Sequence, residues 1–204
     1  MAKIQRQEHQ HQRYTDKAEQ ILQGALPEFL KHGYARTSMD RVANSAGVSK
    51  QTLYSYYKDK NGLFTALIER IASNKFQLLW SKPLEGEAKK VLRDLAYRLL
   101  ESVKDEEYLD FVRLIIAESG TRPELSQLYL NSVTKPANKM LTRYFQNCSE
   151  LNFSDPEATA RIFIDSLMFL IMSQEVMHGK EIMPMESDRY VNNLINLILN
   201  NEKK

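Results

Sequence analysis

Apolar residues recur with helical spacing from Thr15 to Lys31: Ile21, Leu22, Ala25, Leu26 and Phe29 form one stripe, closed by His32-Gly33. Pro27 stands inside that stripe and predicts a bend, because proline removes one helical hydrogen bond. A second face follows, with Met39, Val42, Ala43 and Ala46 at i, i+3, i+4 and i+7. Thr37 or Ser38 supplies its N-cap, and Thr37-Ser-Met-Asp40 has capping-box form. Gly47 ends that helix, since a residue without Cβ enters the left-handed region at little cost. Ser49 then offers its hydroxyl to the free amides of a short third helix, with Val48 and Leu53 spaced as a hydrophobic staple. Leu53 and Tyr57 are its expected buried residues, which leaves Lys50, Gln51, Thr52, Tyr54, Ser55 and Tyr56 facing outward.

The remaining pattern is also helical. Asp59 or Asn61 starts a helix that carries Leu63, Phe64, Leu67, Ile68 and Ile71 past Phe76 towards Trp80, until Pro83 and Gly86 break it. Further helices are predicted over 87–103, 107–118, 124–148 (kinked or divided at Pro136), 157–178 and 188–199. Asp155-Pro156 has the form of a cap followed by a first-turn proline. No alternating run is long enough for a strand, so the predicted fold is all-α. The expected divisions are a disordered polar tail (1–12), a three-helix helix–turn–helix domain (13–60), a connecting helix (61–80) and a helical body (81–204).

Two helices joined by a tight Gly-containing turn, the second with a polar, basic, aromatic-edged face, describe a DNA-reading helix–turn–helix. The run GVSKQTLYSYYKDKNGLF resembles the signature of the tetracycline-repressor (TetR) family, and GYARTSMDRVANSAG before it is similar to that family's first two helices. The resemblance extends from about Thr15 to Ile71, and FVRLIIAESGTRPEL (Phe111 to Leu125) is similar to the multidrug-efflux-repressor subgroup. It implies an all-helical homodimer that represses transcription and leaves DNA when a small molecule fills the C-terminal domain; the two-fold axis predicts a pseudo-palindromic operator, and the aromatic and methionine residues of the body predict an apolar or amphipathic effector. Carried over by position, it places DNA contacts on Thr37, Lys50, Gln51, Thr52, Tyr54, Tyr56, Lys58 and Lys60, with Ser38 and Ser49 on the same surface. Tyr57 stands where the family usually has Phe.

Charge agrees in its distribution rather than its sum. The net formal charge is only +2, but residues 1–60 carry 10 Lys+Arg against 6 Asp+Glu, while the rest of the chain is slightly acidic. Lys3, Arg6 and Arg13 in the tail are candidates for an added phosphate or minor-groove contact. One cysteine, Cys148, allows no internal disulfide and fits a reducing cytosol. The first 13 residues lack the apolar core of a signal peptide, and the greasiest stretch, Ser166 to Ser173, falls short of the roughly 20 residues a membrane span needs. A cytoplasmic location is expected. Neither a phosphate loop, an HExxH, a CxxC pair nor a GxSxG elbow is present, so no catalysis, cofactor or metal is expected; His9 and His11 alone make a poor metal site.

The last two helices are apolar on more than one side, through Ile162, Phe163, Leu167, Phe169, Leu170 and Ile171, then Val191, Leu194, Ile195, Leu197 and Ile198. Such a surplus needs burial beyond the helix's own layer. A dimer interface at Phe163, Leu167, Leu170, Val191, Leu194, Ile195 and Ile198 would supply it. Phe76, Trp80, Tyr97, Phe111, Tyr129, Phe145, Met168 and Met172 are candidates for an apolar ligand pocket, with Arg113 as its polar anchor; core packing and an ion pair to Asp110 or Glu118 are the plainer alternatives. A helical interaction module, or a ligand-independent DNA-binding regulator sensing a partner or the redox state of Cys148, is the competing reading.

Overall fold

The computed structural model describes the backbone of residues 2–200 and the side chains of residues 14–200. The described residues form helices and no strand: α1 (Ala2–Arg36), α2 (Met39–Ser45), α3 (Lys50–Tyr56), α4 (Lys60–Trp80), α5 (Ala88–Glu101), α6 (Glu106–Glu118), α7 (Pro123–Tyr129), α8 (Lys135–Asn147), α9 (Pro156–Ile171) and α10 (Ser187–Asn200). The chain divides into two compact units. One, the head, holds Met1–Ile71 with Ala117–Leu128; the other, the body, holds Ala72–Ile116 with Tyr129–Lys204.

In the head, the predicted stripe of α1 is the core: Ile21, Leu22, Ala25, Leu26 and Phe29 are all buried, and Leu63, Phe64, Leu67 and Ile68 of α4 are fully buried. Gly24 lets α2 come close, because a Cβ at that position would lie 2.5 Å from the Ala46 Cα. Gly33 breaks α1 at φ 71°, leaving one further turn to Arg36. Helix α1 also takes in residues 2–12, where a disordered tail was expected. Ala, Lys, Gln and Arg are strong helix formers even without an apolar stripe. The side chains of Lys3, Arg6, His9, His11 and Arg13, to which phosphate or metal contacts were considered, lie outside the described residues.

The segment Ala117–Leu128, expected in the body, belongs to the head. The Tyr34 backbone N–H donates to the Glu118 carboxylate at 3.2 Å, and the Arg122 guanidinium lies 4.0 Å from the centre of the Tyr34 ring. Leu125, like Tyr34, is buried. Helices α4 and α6 therefore contribute residues to both units.

The body packs α5, α8, α9 and α10 around one core that includes Leu92, Leu95, Leu141, Phe145, Phe163, Leu167, Val191 and Ile195. Asp155 caps α9 by accepting from the Ala158 N–H, with Pro156 in the first turn. The segment containing Pro136 divides, and the junction is a π turn over Leu130–Thr134, closed by a hydrogen bond from the Lys135 N–H to the Leu130 carbonyl. A second π turn, Met172–Val176, ends α9, where a helix continuing to His178 was expected.

All seven residues expected at a dimer interface are buried within the protomer itself. Phe163, Leu167, Leu170, Val191, Leu194, Ile195 and Ile198 are each at most 8% exposed. Six of them, all but Leu170, belong to the body's own core, although Leu194 and Ile198 also line a groove at its surface. The outward apolar residues of the same helices are Ile162 (58% exposed), Phe169 (67%) and Leu197 (58%). An excess of apolar residues around a helix signals a second buried face without saying which face is which. No helix among the described residues is long and apolar enough to cross a membrane.

Candidate nucleic-acid interface

Helices α2 and α3 are set by hydroxyls. Ser38, rather than Thr37, caps α2 by accepting from the Arg41 N–H at 3.4 Å, and Ser49 caps α3 by accepting from the Thr52 N–H at 3.0 Å. The Ser49 and Thr52 hydroxyls also bond each other at 2.8 Å. Thr37 is buried and donates to the carbonyls of Glu28 (3.0 Å) and Gly33 (2.7 Å), holding the break in α1. With Ser38 as cap, the fourth position of a capping box falls on Arg41, so the expected box with Asp40 does not form. From α1, the Gln20 amide donates to the Ala46 carbonyl at 2.7 Å, closing the end of α2.

What remains outward on α3 is polar. Leu53 alone is fully buried; Lys50, Gln51, Tyr54 and Ser55 are exposed, and Thr52 and Tyr56 are half-buried. Tyr57, expected in the core, is half-buried as well, and burial raises its hydroxyl pKa. The Lys50 ammonium pairs with Asp40 at 2.6 Å across the two helices, and this bond raises its pKa. Both partners are solvent-exposed, so the pair can exchange for another anion at small cost. Lys58 stands free in solvent exposure just beyond α3.

Lys60 points inward instead. Its ammonium donates to the carbonyls of Tyr34 (2.8 Å), Ala35 (3.0 Å) and Thr37 (3.0 Å), and it lies 4.6 Å from the centre of the Tyr34 ring. It caps the end of α1, where a cation suits the helix dipole. Burial, then the Arg122 charge, lower its pKa. Of the ten residues placed on the DNA surface by sequence, the fold thus gathers Lys50, Gln51, Thr52, Tyr54, Tyr56 and Lys58 on or beside α3. It commits Thr37, Ser38, Ser49 and Lys60 to shaping the helices.

Tyr14, Gln20 and Arg122 were not singled out by the sequence, and Glu118 was named there only as a possible partner of Arg113. Each acts on a residue far along the chain, so no local spacing marks it. Tyr14 stacks on Tyr56, with ring centres 4.4 Å apart and planes at 19°.

The candidate ligand residues do not converge on one site. Phe76 and Trp80 stack at 6.1 Å and, with Phe145, Tyr97 and Met168, belong to or pack against the body's core. Phe111 and Tyr129 form a separate pair at 6.4 Å, and the Tyr129 hydroxyl bonds that of Tyr108. Met172 begins the second π turn. Arg113 is no free anchor: it pairs with Asp110 at 2.7 Å and donates to the Glu175 (2.8 Å) and Val176 (3.3 Å) carbonyls, closing that π turn.

Known proteins share this arrangement. Residues 21–67 match the model for bacterial regulatory proteins of the tetR family, and residues 90–201 match that for the C-terminal domain of AefR-like transcriptional repressors. The chain is similar to the HTH-type transcriptional regulator AcrR of Shigella flexneri, at 34% identity over 109 residues, covering 52% of this chain and 48% of AcrR. It spans about half the length of the curated relatives it matches. Among solved structures, a TetR-family regulator from Mesorhizobium loti superposes with a TM-score of 0.79 at 27% identity, covering 92% of this chain and 97% of that one. The flavonoid-responsive regulator FrrA superposes with a TM-score of 0.77 at 26% identity, covering 92% and 97%.

Proposed function

The chain belongs to the tetR family of bacterial regulatory proteins, and we propose that it is a homodimeric repressor whose α3 reads a pseudo-palindromic DNA operator. That family consists of transcriptional regulators, not enzymes. The observation that carries the reading is the outward face of α3: Lys50, Gln51 and Tyr54 stand exposed on a short helix held at its start by Ser49. Ammonium, amide and phenol groups at that place suit base edges and phosphates of a major groove. Two such helices related by a two-fold axis meet half-sites about 34 Å apart, or a multiple of that distance.

The dimer surface we assign is the outward side of α9 and α10, with Ile162, Phe169 and Leu197. A groove of about 650 Å³ runs beside it, lined by Ile162, Ser166, Asn193 and Leu197 among others. Apolar side chains this exposed on two neighbouring helices are what an isologous four-helix contact would cover.

We assign effector control to the body, with an apolar or amphipathic small molecule as ligand. Trp80 supports this: its indole N–H is buried with no hydrogen-bond partner among the described residues, and a buried donor left unpaired favours any acceptor that can reach it. FrrA, a similar protein, is flavonoid-responsive, which makes flavonoids a first panel. A ligand that weakens operator affinity a hundredfold must prefer the non-binding form by about 2.7 kcal/mol.

Selection of operator DNA from a random pool by the purified chain tests the reading. A palindromic consensus is expected, with Lys50→Ala and Tyr54→Ala each weakening its binding by on the order of tenfold. Selection of no sequence, or unchanged affinity in both variants, refutes it. Quenching of the single tryptophan by a flavonoid, with parallel loss of operator binding, tests the effector.

A further inference from the structure

Helix α1 touches the end of α2, just before the turn into the DNA-reading helix, and the far end of that helix. At the start, Lys17 donates to the Gln20 side chain at 2.7 Å, and Gln20 donates onward to the Ala46 carbonyl at 2.7 Å, just before the turn into α3. At the far end, Tyr14 lies flat against Tyr56, the last residue of α3, with ring centres 4.4 Å apart and planes at 19°. Tyr57 continues the cluster, its ring 6.5 Å from that of Tyr56. Glu19, five residues along α1 from Tyr14, forms an ion pair with Arg70 of α4, so this part of α1 is itself anchored.

The stack differs from a core contact. Tyr14 is 53% exposed and Tyr56 only half-buried, so the pair removes little apolar surface from water. Its effect falls on the freedom of Tyr56 instead. A phenol at the end of a seven-residue helix would otherwise sample several rotamers and lose that freedom on meeting DNA. A ring held in advance avoids the loss at the moment of binding.

We propose that Tyr14 is a positioning residue for DNA recognition: stacked on Tyr56, it fixes that side chain in the orientation that meets the duplex. The recognition surface is then built by three helices, with α1 bracing α3 from outside the helix–turn–helix. The proposal rests on the reading of α3 as the DNA-contacting helix. It requires the ring of Tyr14 and not its hydroxyl, and it acts only through Tyr56.

The test uses the full chain and its selected operator. Tyr14→Ala should weaken operator binding by about three- to tenfold, the range that ordering one side chain in advance supports, without lowering the melting temperature. Tyr14→Phe, which keeps the ring, should restore binding to within about twofold of the unaltered chain. In a Tyr56→Ala background, Tyr14→Ala should have no further effect, because the two residues act as one unit. Unchanged affinity in Tyr14→Ala, full additivity with Tyr56→Ala, or a Tyr14→Phe loss as large as that of Ala would each overturn the proposal. A melting temperature that falls along with affinity would overturn it too, as a purely structural effect. If the unaltered chain selects no operator, the reading of α3 fails first and the proposal with it. If it selects one and the Tyr14 variants bind normally, only the proposal fails.

Discussion

Both units have an apolar core, but the short helices of the head rely more on side chains that bond backbone at helix ends. In the head, Thr37, Ser38, Ser49, Gln20 and Lys60 each bond a free backbone group at a helix end. In the body, the helices are held mainly by a core running from Leu79 to Ile198. Short helices explain the contrast: α2 and α3 have seven residues each, so their unpaired terminal groups outnumber their internal bonds. The useful surface of each unit is what its stabilising scheme leaves over. On the head we assign that role to Lys50, Gln51, Tyr54, Tyr56 and Lys58; on the body, where Leu78, Met177 and Ile182 are exposed as well, we assign it to Ile162, Phe169 and Leu197. A residue type alone does not separate the two groups, because each unit builds itself from the chemistry it also displays.

The strongest way to break this contrast is to place one charge on each side of α9 and α10. Leu194→Asp puts a carboxylate at an 8% exposed position in the core and should cost more than about 4 kcal/mol, leaving little folded protein. Phe169→Asp and Leu197→Asp, on the outward side, should change protomer stability by no more than about 0.5 kcal/mol. They should instead convert a dimer to a folded monomer that has lost its operator. Light scattering and circular dichroism separate the outcomes. A dimer that survives both outward charges would move the interface elsewhere.

Two lysines in the head sharpen the distinction between shaping and displaying. Lys60→Ala removes a cation bonded to three carbonyls and should cost about 1.5–3 kcal/mol of head stability, read as a lower melting temperature. Lys58→Ala should leave melting unchanged, weaken binding to all DNA sequences alike, and reduce the salt slope by about one. The reverse assignment, with Lys60 setting the salt slope and stability untouched, would restore Lys60 to the DNA surface.

Alkali should loosen both units through their buried phenols, and the body more. Burial raises the pKa of Tyr34 in the head, and those of Tyr108 and, further, Tyr129 in the body. A group with a raised folded pKa contributes stability that is complete below its unfolded value and lost as pH rises towards the folded one. The losses should therefore begin near pH 10, the ordinary tyrosine value, and grow above it. Lys60, with its lowered pKa, works in the opposite sense below its ordinary value, so it partly offsets the loss from Tyr34 in the head. Tyr129→Phe should flatten the alkaline fall in melting temperature; an identical fall would place the sensitive group elsewhere.

Legibility followed the distance over which each residue acts. The Ser49 cap, the Gly33 break and the Asp155-Pro156 start were visible because cap and capped group lie within four residues. The all-α class and the α1 stripe were equally local. Lys60 was misplaced because its carbonyl partners lie 23 to 26 residues earlier, and nothing near Lys60 signals them. Glu118 joins the head through Tyr34, 84 residues away, so the sequence put its segment in the body. On α9 and α10 the surplus of apolar residues was legible. Its division into inner and outer faces was not, since that depends on which side meets α5 and α8.

The smallest expected effect concerns the one recognition-helix cation that is already occupied. Lys50 is paired with Asp40 at 2.6 Å, and that bond raises its pKa, so the free protein meets DNA with this charge engaged. Binding must exchange a carboxylate for a phosphate or a base edge, and the displaced Asp40 then stands beside a polyanion. Asp40→Asn removes the competitor and the repulsion together while keeping a hydrogen-bonding side chain in the first turn of α2. Operator affinity should rise by about two- to fivefold, a gain of the size that one exposed ion pair controls. The gain should be largest at low salt, where the repulsion is least screened. Lys50→Ala should erase most of it, because the freed ammonium is then missing. A titration of both variants across salt concentrations decides the matter: if Asp40→Asn binds no better than the unaltered chain, Lys50 does not leave Asp40 for DNA, and its place on the reading surface is lost.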